Sequence, residues 1–131
     1  MQARLKIDSI AEVGVGKALD VLAWEIELAG ARCIFLDSLI GELTPDIPHD
    51  KRARLQAGLH AVDLLSQHLT SLSAFARQLS GDCPSEATAA VEPALATITL
   101  GGLAERMASA FGADEKLPAP GAPDAGDLDL F

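Results

Sequence analysis

Aromatic residues and cysteines are scarce in this sequence. Only 4% of the 131 residues are aromatic and none is tyrosine, whereas 49% are hydrophobic. Such a balance favours helices packed through aliphatic side chains over sheets, so we expect one all-α domain and no sheet. The two cysteines, Cys33 and Cys83, lack the spacing of a disulfide framework, and the chain does not begin with a signal-peptide pattern. We therefore expect a cytoplasmic protein with reduced thiols.

Basic residues and long apolar runs are also few. Ten Lys and Arg residues stand against 19 Asp and Glu residues, which gives a formal net charge of −9. This sign is opposite to the one that a phosphate backbone attracts, so nucleic acid is not an expected partner. No stretch of about 18 apolar residues without charges occurs, and we expect no membrane span.

Two long segments have the periodicity of packed helices. In the first, apolar residues recur at alternating steps of three and four: Leu19, Leu22, Ile26, Ala29, Cys33, Leu36 and Ile40. The second has the same steps: Leu55, Gly58, Val62, Leu65, Leu69, Leu72, Ala76 and Leu79. These stripes predict helices over about residues 17–41 and 49–80 that pack against each other. The segment from Gly41 to His49 contains two prolines and predicts the turn of an antiparallel hairpin.

The first helix carries a second apolar line that one hairpin partner cannot cover. This line lies about 120° from the first and contains Val21, Trp24, Leu28, Phe35 and Leu39. Either a third helix or a second copy of the chain must bury it, and a hairpin that dimerises into a four-helix bundle satisfies this need. We therefore expect a long antiparallel helical hairpin with a shorter third helix, completed to a four-helix bundle by dimerisation.

The third helix is predicted over about residues 85–111. Its apolar stripe contains Leu100, Leu103, Met107 and Phe111, and Pro93 suits a first helical turn. Gly101 and Gly102 interrupt the stripe, and they either permit close helix approach or mark a break. Residues 1–112 are thus predicted to form the helical domain.

Residues 113–131 differ sharply in composition. They contain prolines, small residues and five acids, which predicts a flexible linker and a disordered tail without a core. Yet the chain closes on alternating acidic and apolar residues: Asp127, Leu128, Asp129, Leu130 and Phe131. We interpret these five residues as a docking peptide that becomes ordered on a partner, with a disordered end of no function as the alternative.

Asp63 and Gln67 stand out on the second helix. They are one turn apart, about 6 Å, and lie roughly 125° and 165° from the middle of the predicted packing stripe. A solvent-facing Gln is a poor base but can hold a water in line with a phosphoryl group, and a carboxylate one turn earlier can pair with a cation of the target. The spacing alone is weak, since chance predicts about 0.3 such matches in this composition.

The stretch Asp63-Leu64-Leu65-Ser66-Gln67 is similar to the motif of the CheZ-type chemotaxis phosphatases, helical hairpins that dimerise and carry an Asp and a Gln at this spacing. The terminus Asp127 to Phe131 is similar to the peptide with which that family docks on its response regulator. The resemblance covers the hairpin and the last few residues. It does not extend to residues 85–112, and the chain is much shorter than a typical member.

The resemblance implies a protein phosphatase that accelerates hydrolysis of the aspartyl phosphate on a phosphorylated CheY-like response regulator, which terminates a chemotaxis signal. Gln67 would orient the attacking water, and Asp63 would pair with the active-site lysine of the regulator. The regulator would supply the phosphorylated aspartate and a Mg²⁺ ion. The chain itself would bind no metal or other cofactor.

Two other functions are compatible with the sequence. A histidine phosphotransfer bundle could use His60, although the Lys and Gly that usually follow such a histidine are missing. A non-catalytic adaptor would bind a response regulator through the tail. We expect no zinc site, because His49, in the predicted turn, and His68, half-buried, lack ligands at suitable spacing.

Three basic residues, Lys51, Arg52 and Arg54, occupy the first turns of the second helix, where the helix dipole disfavours cations. They either face solvent or contact an acidic partner.

Overall fold

The computed structural model of the chain describes residues 12–112, which are mostly helical. The elements, in chain order, are β1 (Glu12–Gly14), α1 (Val15–Leu43), a 3₁₀ turn (Thr44–Asp46), α2 (His49–Asp82), β2 (Thr88–Ala90), α3 (Glu92–Leu95) and α4 (Gly101–Gly112). The predicted helical hairpin with a shorter third helix is confirmed, since two long helices pack against each other beside a shorter one, whereas dimerisation into a four-helix bundle stays a prediction. The predicted linker and docking peptide lie outside the described residues.

The turn between α1 and α2 is built by the residues that predicted it. Thr44, the first residue of the 3₁₀ turn, donates from Oγ1 to the Ile40 carbonyl at 2.8 Å, and Pro45 follows it in the turn. Arg52 then reaches back and donates to the carbonyls of Ile47 and Pro45 at 3.1 and 3.2 Å. Arg52 therefore fixes the turn from within the chain. His49, the last residue of the predicted turn and the first of the predicted second helix, is the first residue of α2.

The packed side of α2 differs from the predicted stripe. Leu65, Leu72 and Leu79 are 48%, 54% and 43% exposed. From Leu55 onward, the buried or half-buried positions of α2 are instead these: Leu55, Leu59, Val62, Ser66, Leu69, Ser73, Ala76 and Ser80. At 100° per residue this line is rotated by about 50° from the prediction. The prediction was therefore right for Leu55, Val62, Leu69 and Ala76 and wrong for the other half of the stripe.

Close helix approach explains the rotation. Ser80 donates from Oγ to the Gly16 carbonyl at 2.8 Å, and Ser73 donates to Glu27 Oε1 at the same distance. A Cβ atom on Gly16 would lie only 3.3 Å from the Ser80 carbonyl oxygen. Small, hydrogen-bonded serines therefore let the backbones meet where leucines would hold them apart.

The second apolar line of α1 is covered over only half its length. Val21 is buried in a cluster with Val13, Val91 and Phe111, which β1, the start of α3 and α4 bring together. Phe35 and Leu39, further along the line, are 52% and 40% exposed. The reason is length, because the 12 residues of α4 span about 18 Å and the 29 of α1 about 44 Å. A third helix thus covers the first half of the line.

The region after α2 is less helical than predicted. Instead of one helix over residues 85–111, the chain forms β2, the single turn α3 with Pro93 in its first turn, and α4. Gly101 and Gly102 mark the start of α4, so they are a break rather than a packing point. Met107 packs on the cluster and Phe111 is buried, as predicted, whereas Leu100 is 48% exposed.

The expectation of no sheet was wrong in one small element. β1 pairs with β2 antiparallel, with Glu12 opposite Ala90, Val13 opposite Ala89 and Gly14 opposite Thr88. A further bond from the Val15 amide to the Ala87 carbonyl, 2.9 Å, continues the pairing. Strands of three residues have too few positions to show alternation in the sequence.

α4 is tied to α1 by charge as well as by apolar contact. Arg106 donates from Nη2 and Nε to the two carboxylate oxygens of Glu25, at 2.8 and 3.2 Å. Lys17 donates to the Phe111 carbonyl at the helix end, at 3.3 Å. Within residues 12–112 no helix combines the length and apolar character that a membrane crossing needs.

Candidate functional site

Asp63 and Gln67 lie on the exposed surface of α2, one turn apart, as predicted. Gln67 donates from Nε2 to Asp63 Oδ2 at 3.0 Å. This bond holds the amide in one orientation, with its carbonyl oxygen and second N–H directed away from the carboxylate. The two side chains therefore form one preset polar unit on a rigid helix.

The rotated packing of α2 changes where this unit points. Measured from the observed packed line, Asp63 lies about 85° and Gln67 about 125° around the helix. Both angles are smaller than predicted. The pair thus stands on one flank of the hairpin, beside α1, rather than at the back of α2.

A groove of about 460 Å³ runs along the same flank. Thr70, one turn after Gln67, lines it together with small residues of both helices, Gly30, Ala31 and Ala74, and with Ile34. The groove exists because these small side chains leave space between the helices. A partner that reaches Gln67 would also meet this recess.

The far end of the groove is closed by an ion-pair network. Arg77 donates to Glu27 and lies 3.8 Å from Asp20, and Ser73 donates to the same Glu27 oxygen. Desolvation raises the pKa of Glu27, but the hydrogen bonds from Arg77 and Ser73 outweigh it and hold the pKa below 4.5. The hydrogen bond to Glu27 raises the pKa of Arg77. The positive charge of Arg77 is thereby balanced within the chain.

The three histidines all belong to α2 and are exposed. His60 and His68 are both exposed on α2, and the prediction of a half-buried His68 was wrong because the packed line turns away from it. Among residues 12–112 no group of three His, Cys, Asp or Glu side chains could hold a metal ion. Cys33 and Cys83 are half-buried free thiols.

Sequence reasoning missed the groove and its ion-pair network. A signal was present in Ser66, Ser73 and Ser80, which recur every seven residues and mark the true packed line. Had that line been recognised, Arg77 and Thr70 would have been placed on the flank of Asp63. The tail residues Asp127 to Phe131 lie outside the described residues.

Comparisons with known proteins identify a family without a known activity. The chain belongs to DUF8776, a domain of unknown function, whose family model matches residues 12–131. No curated protein and no solved structure matches the chain.

Proposed function

We propose that this DUF8776 member is a phosphatase for the aspartyl phosphate of a CheY-like response regulator, working in the cytoplasm to end a chemotaxis signal. The observation that carries the proposal is the exposed Asp63–Gln67 unit, whose 3.0 Å hydrogen bond presets an amide on a rigid helix. A preset amide suits a reaction in which positioning of water supplies most of the rate gain.

In the proposed reaction, a water oxygen attacks the phosphorus atom and the bond to the aspartate oxygen of the regulator breaks. The products are the free carboxylate of the regulator and inorganic phosphate. Gln67 accepts a hydrogen bond from the attacking water through its carbonyl oxygen, which aligns the water with the breaking bond. Gln67 does not take up the proton, since an amide is a poor base.

Asp63 acts as a positioning residue in this proposal. It holds the amide of Gln67 through one carboxylate oxygen and offers the other to the active-site lysine of the regulator. Pairing with that ammonium group would anchor α2 over the phosphorylated aspartate. The metal of the reaction, Mg²⁺, is proposed to belong to the regulator.

The groove next to the pair supports a protein substrate over a small molecule. It is open along the flank, and aliphatic and small side chains line it between Thr70 and the Glu27–Arg77 pair. Such a surface suits contact with a helix or loop of a regulator. The docking peptide Asp127 to Phe131 would supply a second contact, and the family match includes these residues.

The test measures loss of acyl phosphate from response regulators of the same organism in Mg²⁺ buffer, with and without the protein. Gln67→Ala should abolish the acceleration with binding retained, a loss of roughly 100-fold or more. Gln56→Ala is the matched control, because Gln56 is an exposed glutamine three turns earlier on the same helix. It should keep the wild-type rate.

The alternatives give different results in the same assay. If Gln67→Ala dephosphorylates its regulator at the wild-type rate, the phosphatase proposal is wrong. An adaptor would bind regulators without accelerating hydrolysis and would lose its effect on deletion of residues 126–131. Transfer of labelled phosphate to the exposed His60 would instead identify a phosphotransfer protein.

A further inference from the structure

We infer that the docking peptide, Asp127 to Phe131, binds to its own hairpin, on the flank opposite the functional flank that carries the Asp63–Gln67 unit. The surface that it binds, the leucine flank, consists of five side chains that are 43% to 54% exposed: Leu22 and Leu36 of α1 and Leu65, Leu72 and Leu79 of α2. The inference goes beyond the phosphatase proposal and does not depend on it.

The contact between the two long helices places the leucines of α1. A Cβ atom on Gly16 or Gly30 would meet atoms of α2 within 4 Å, so these two glycines mark the side of α1 that faces α2. Counted from midway between them, Glu27 lies about 40° to one side. Leu22 and Leu36 lie about 100° and 140° to the other side. Both leucines therefore point away from the flank of Glu27.

The leucines of α2 lie on the same flank as those of α1. Arg77 is about 45° from the packed line of α2, and its ion pair with Glu27 shows which flank of the hairpin this direction is. Three residues lie about 75° to 115° from the packed line in the opposite direction: Leu65, Leu72 and Leu79. The five leucines thus form one surface that both helices build.

The area of the leucine flank suits a short peptide. Five half-exposed leucines present roughly 400 Å², taking a fully exposed leucine at about 170 Å², near the lower end of what aromatic side chains bury. A stable interface between folded partners buries about 800 Å² on each of them. The docking peptide brings three large apolar side chains: Leu128, Leu130 and Phe131. The flank is therefore too small for a folded partner and large enough for this segment.

The charges around the leucine flank favour an acidic segment. Within α1 and α2, both in the described part of the chain, no exposed acidic side chain lies along this flank between Leu79 and Leu36. The acids of the two helices lie elsewhere: Asp20, Glu27 and Asp63 on the functional flank, Glu25 bound by Arg106, Asp37 half-buried, and Glu42, Asp50 and Asp82 near the helix ends. An acidic peptide therefore meets no repulsion on the leucines.

Two cations stand at the turn end of the leucine flank. Lys51 and Arg54 are exposed, and they lie about 35° and 95° from the packed line of α2 in the direction of the leucines. The tail, residues 113–131, contains five acids and one lysine, and two of the acids alternate with the apolar residues of the docking peptide. The tail thus complements both the apolar surface and the charge at its end.

The place where the tail starts and its length allow this contact. Lys17 donates to the Phe111 carbonyl, so α4 ends beside the first turn of α1. From Lys17, Leu22 and Leu36 are about 8 and 29 Å away along α1. A flexible linker of the size of residues 113–126 has a mean end-to-end distance of about 20 Å. The linker therefore delivers the docking peptide to the leucines at an effective concentration in the millimolar range.

Bound in this way, the docking peptide leaves the functional flank open. The leucine flank becomes a resting place from which a partner must displace the peptide before it can bind it. The hairpin thereby sets how readily the docking peptide is offered to a partner.

Paramagnetic relaxation enhancement in the full chain tests the contact. A nitroxide is attached at Pro123→Cys, four residues before the docking peptide, in a chain with Cys33→Ser and Cys83→Ser. We expect it to broaden the methyl resonances of the five flank leucines several-fold more than those of Leu64. Leu64 is a suitable reference because it is 46% exposed but lies on the back of α2.

Matched substitutions test the surface itself. Leu72→Glu should lower the enhancement at the other flank leucines about 10-fold, because it removes apolar contact and adds repulsion. Leu64→Glu, the same change at a similarly exposed site off the flank, should leave it unchanged. Arg54→Glu, which alters no apolar contact of the flank, should lower it about 2- to 5-fold. Circular dichroism checks that each variant keeps its helix content.

Three results would overturn the inference. The first is an enhancement that is no stronger on the flank leucines than on Leu64, or that is centred on Ile34 in the groove. The second is an enhancement that Leu72→Glu and Leu64→Glu change equally. The third comes from mixing spin-labelled chains with isotope-labelled chains that carry no nitroxide: broadening of the flank leucines there would show that the surface is covered by a second copy instead.

Discussion

The two ends of the hairpin differ in how well they are covered. At the end where the helices meet β1, β2 and α4, the cluster of Val13, Val21, Val91 and Phe111 is buried. At the turn end, the leucines of α1 remain exposed because only one helix lies beside them. Two helices alone bury a single line of side chains, and a third layer is needed for a core. Stability should therefore depend on the covered end.

The largest effect is expected for Phe111→Ala. Phe111 is 8% exposed in the cluster, and removing its ring should lower the free energy of unfolding by about 3 kcal/mol. Phe35→Ala, at the open end and 52% exposed, is the matched control and should cost less than about 1 kcal/mol. Urea denaturation of both variants gives the comparison. Equal losses would show that the two ends do not differ.

Glycine substitutions on α1 sharpen the comparison. At Gly16 a Cβ would meet the Ser80 carbonyl at 3.3 Å, and that carbonyl is also held by the Cys83 amide. At Gly41, near the turn, a Cβ meets nothing within 4 Å. We expect Gly41→Ala to raise the free energy of unfolding by about 0.5–1 kcal/mol. Gly16→Ala should give no increase or should lower the free energy of unfolding, because the added Cβ crowds the Ser80 carbonyl. Thermal unfolding measures the difference, and equal gains at both sites would contradict the close approach.

The ion-pair network beside the groove should make stability depend on pH. The pKa of Glu27 is lower in the folded chain than its ordinary value of 4.5. The stability that ionised Glu27 contributes to the folded chain is therefore complete above pH 4.5. It is lost as the pH falls through the pKa of Glu27 in the folded chain, which is below 4.5. Glu27→Gln should cost about 0.5–1 kcal/mol at pH 7, because Arg77 is partly exposed. The cost should shrink on acidification, and a cost that is constant from pH 7 to pH 3 would argue against this role.

The smallest effect on stability is expected at the functional flank. Gln67→Ala removes an exposed hydrogen bond on α2 and should change the free energy of unfolding by less than about 0.5 kcal/mol. The same variant should lose phosphatase activity. Denaturation and acyl-phosphate assays on one preparation distinguish the effect on stability from the effect on activity. A loss of several kcal/mol in the free energy of unfolding would mean that Gln67 supports the fold.

Most of the helical fold could be predicted from the sequence. The two prolines after Gly41 define the turn, and the ends of α1 and α2 lie within two residues of the predicted bounds. The prediction failed after Pro84, where a weak apolar stripe was interpreted as one helix. Short strands and single turns depend on contacts with distant residues, such as Val13 with Val91, and such contacts leave no local pattern.

The candidate site was predicted in part. The spacing of Asp63 and Gln67 in a helix follows from the chain alone, because four residues are one helical turn. The direction in which the two side chains point does not follow from the chain alone, since it depends on which side of α2 packs on α1. Counting leucines as buried and serines as exposed gave a line about 50° from the observed one. The groove and the Glu27–Arg77 pair could not be found without the correct line.

The sequence by itself determined that this protein is a helical hairpin with an Asp–Gln pair one turn apart, because periodicity and turn chemistry are local properties. The tertiary structure decided which leucines of α2 are packed against α1 and which are left exposed. The physical reason is backbone approach: α2 comes close to Gly16 of α1 at Ser80, whose hydroxyl donates to the Gly16 carbonyl, and this contact turns the serines of α2 rather than Leu65, Leu72 and Leu79 toward α1.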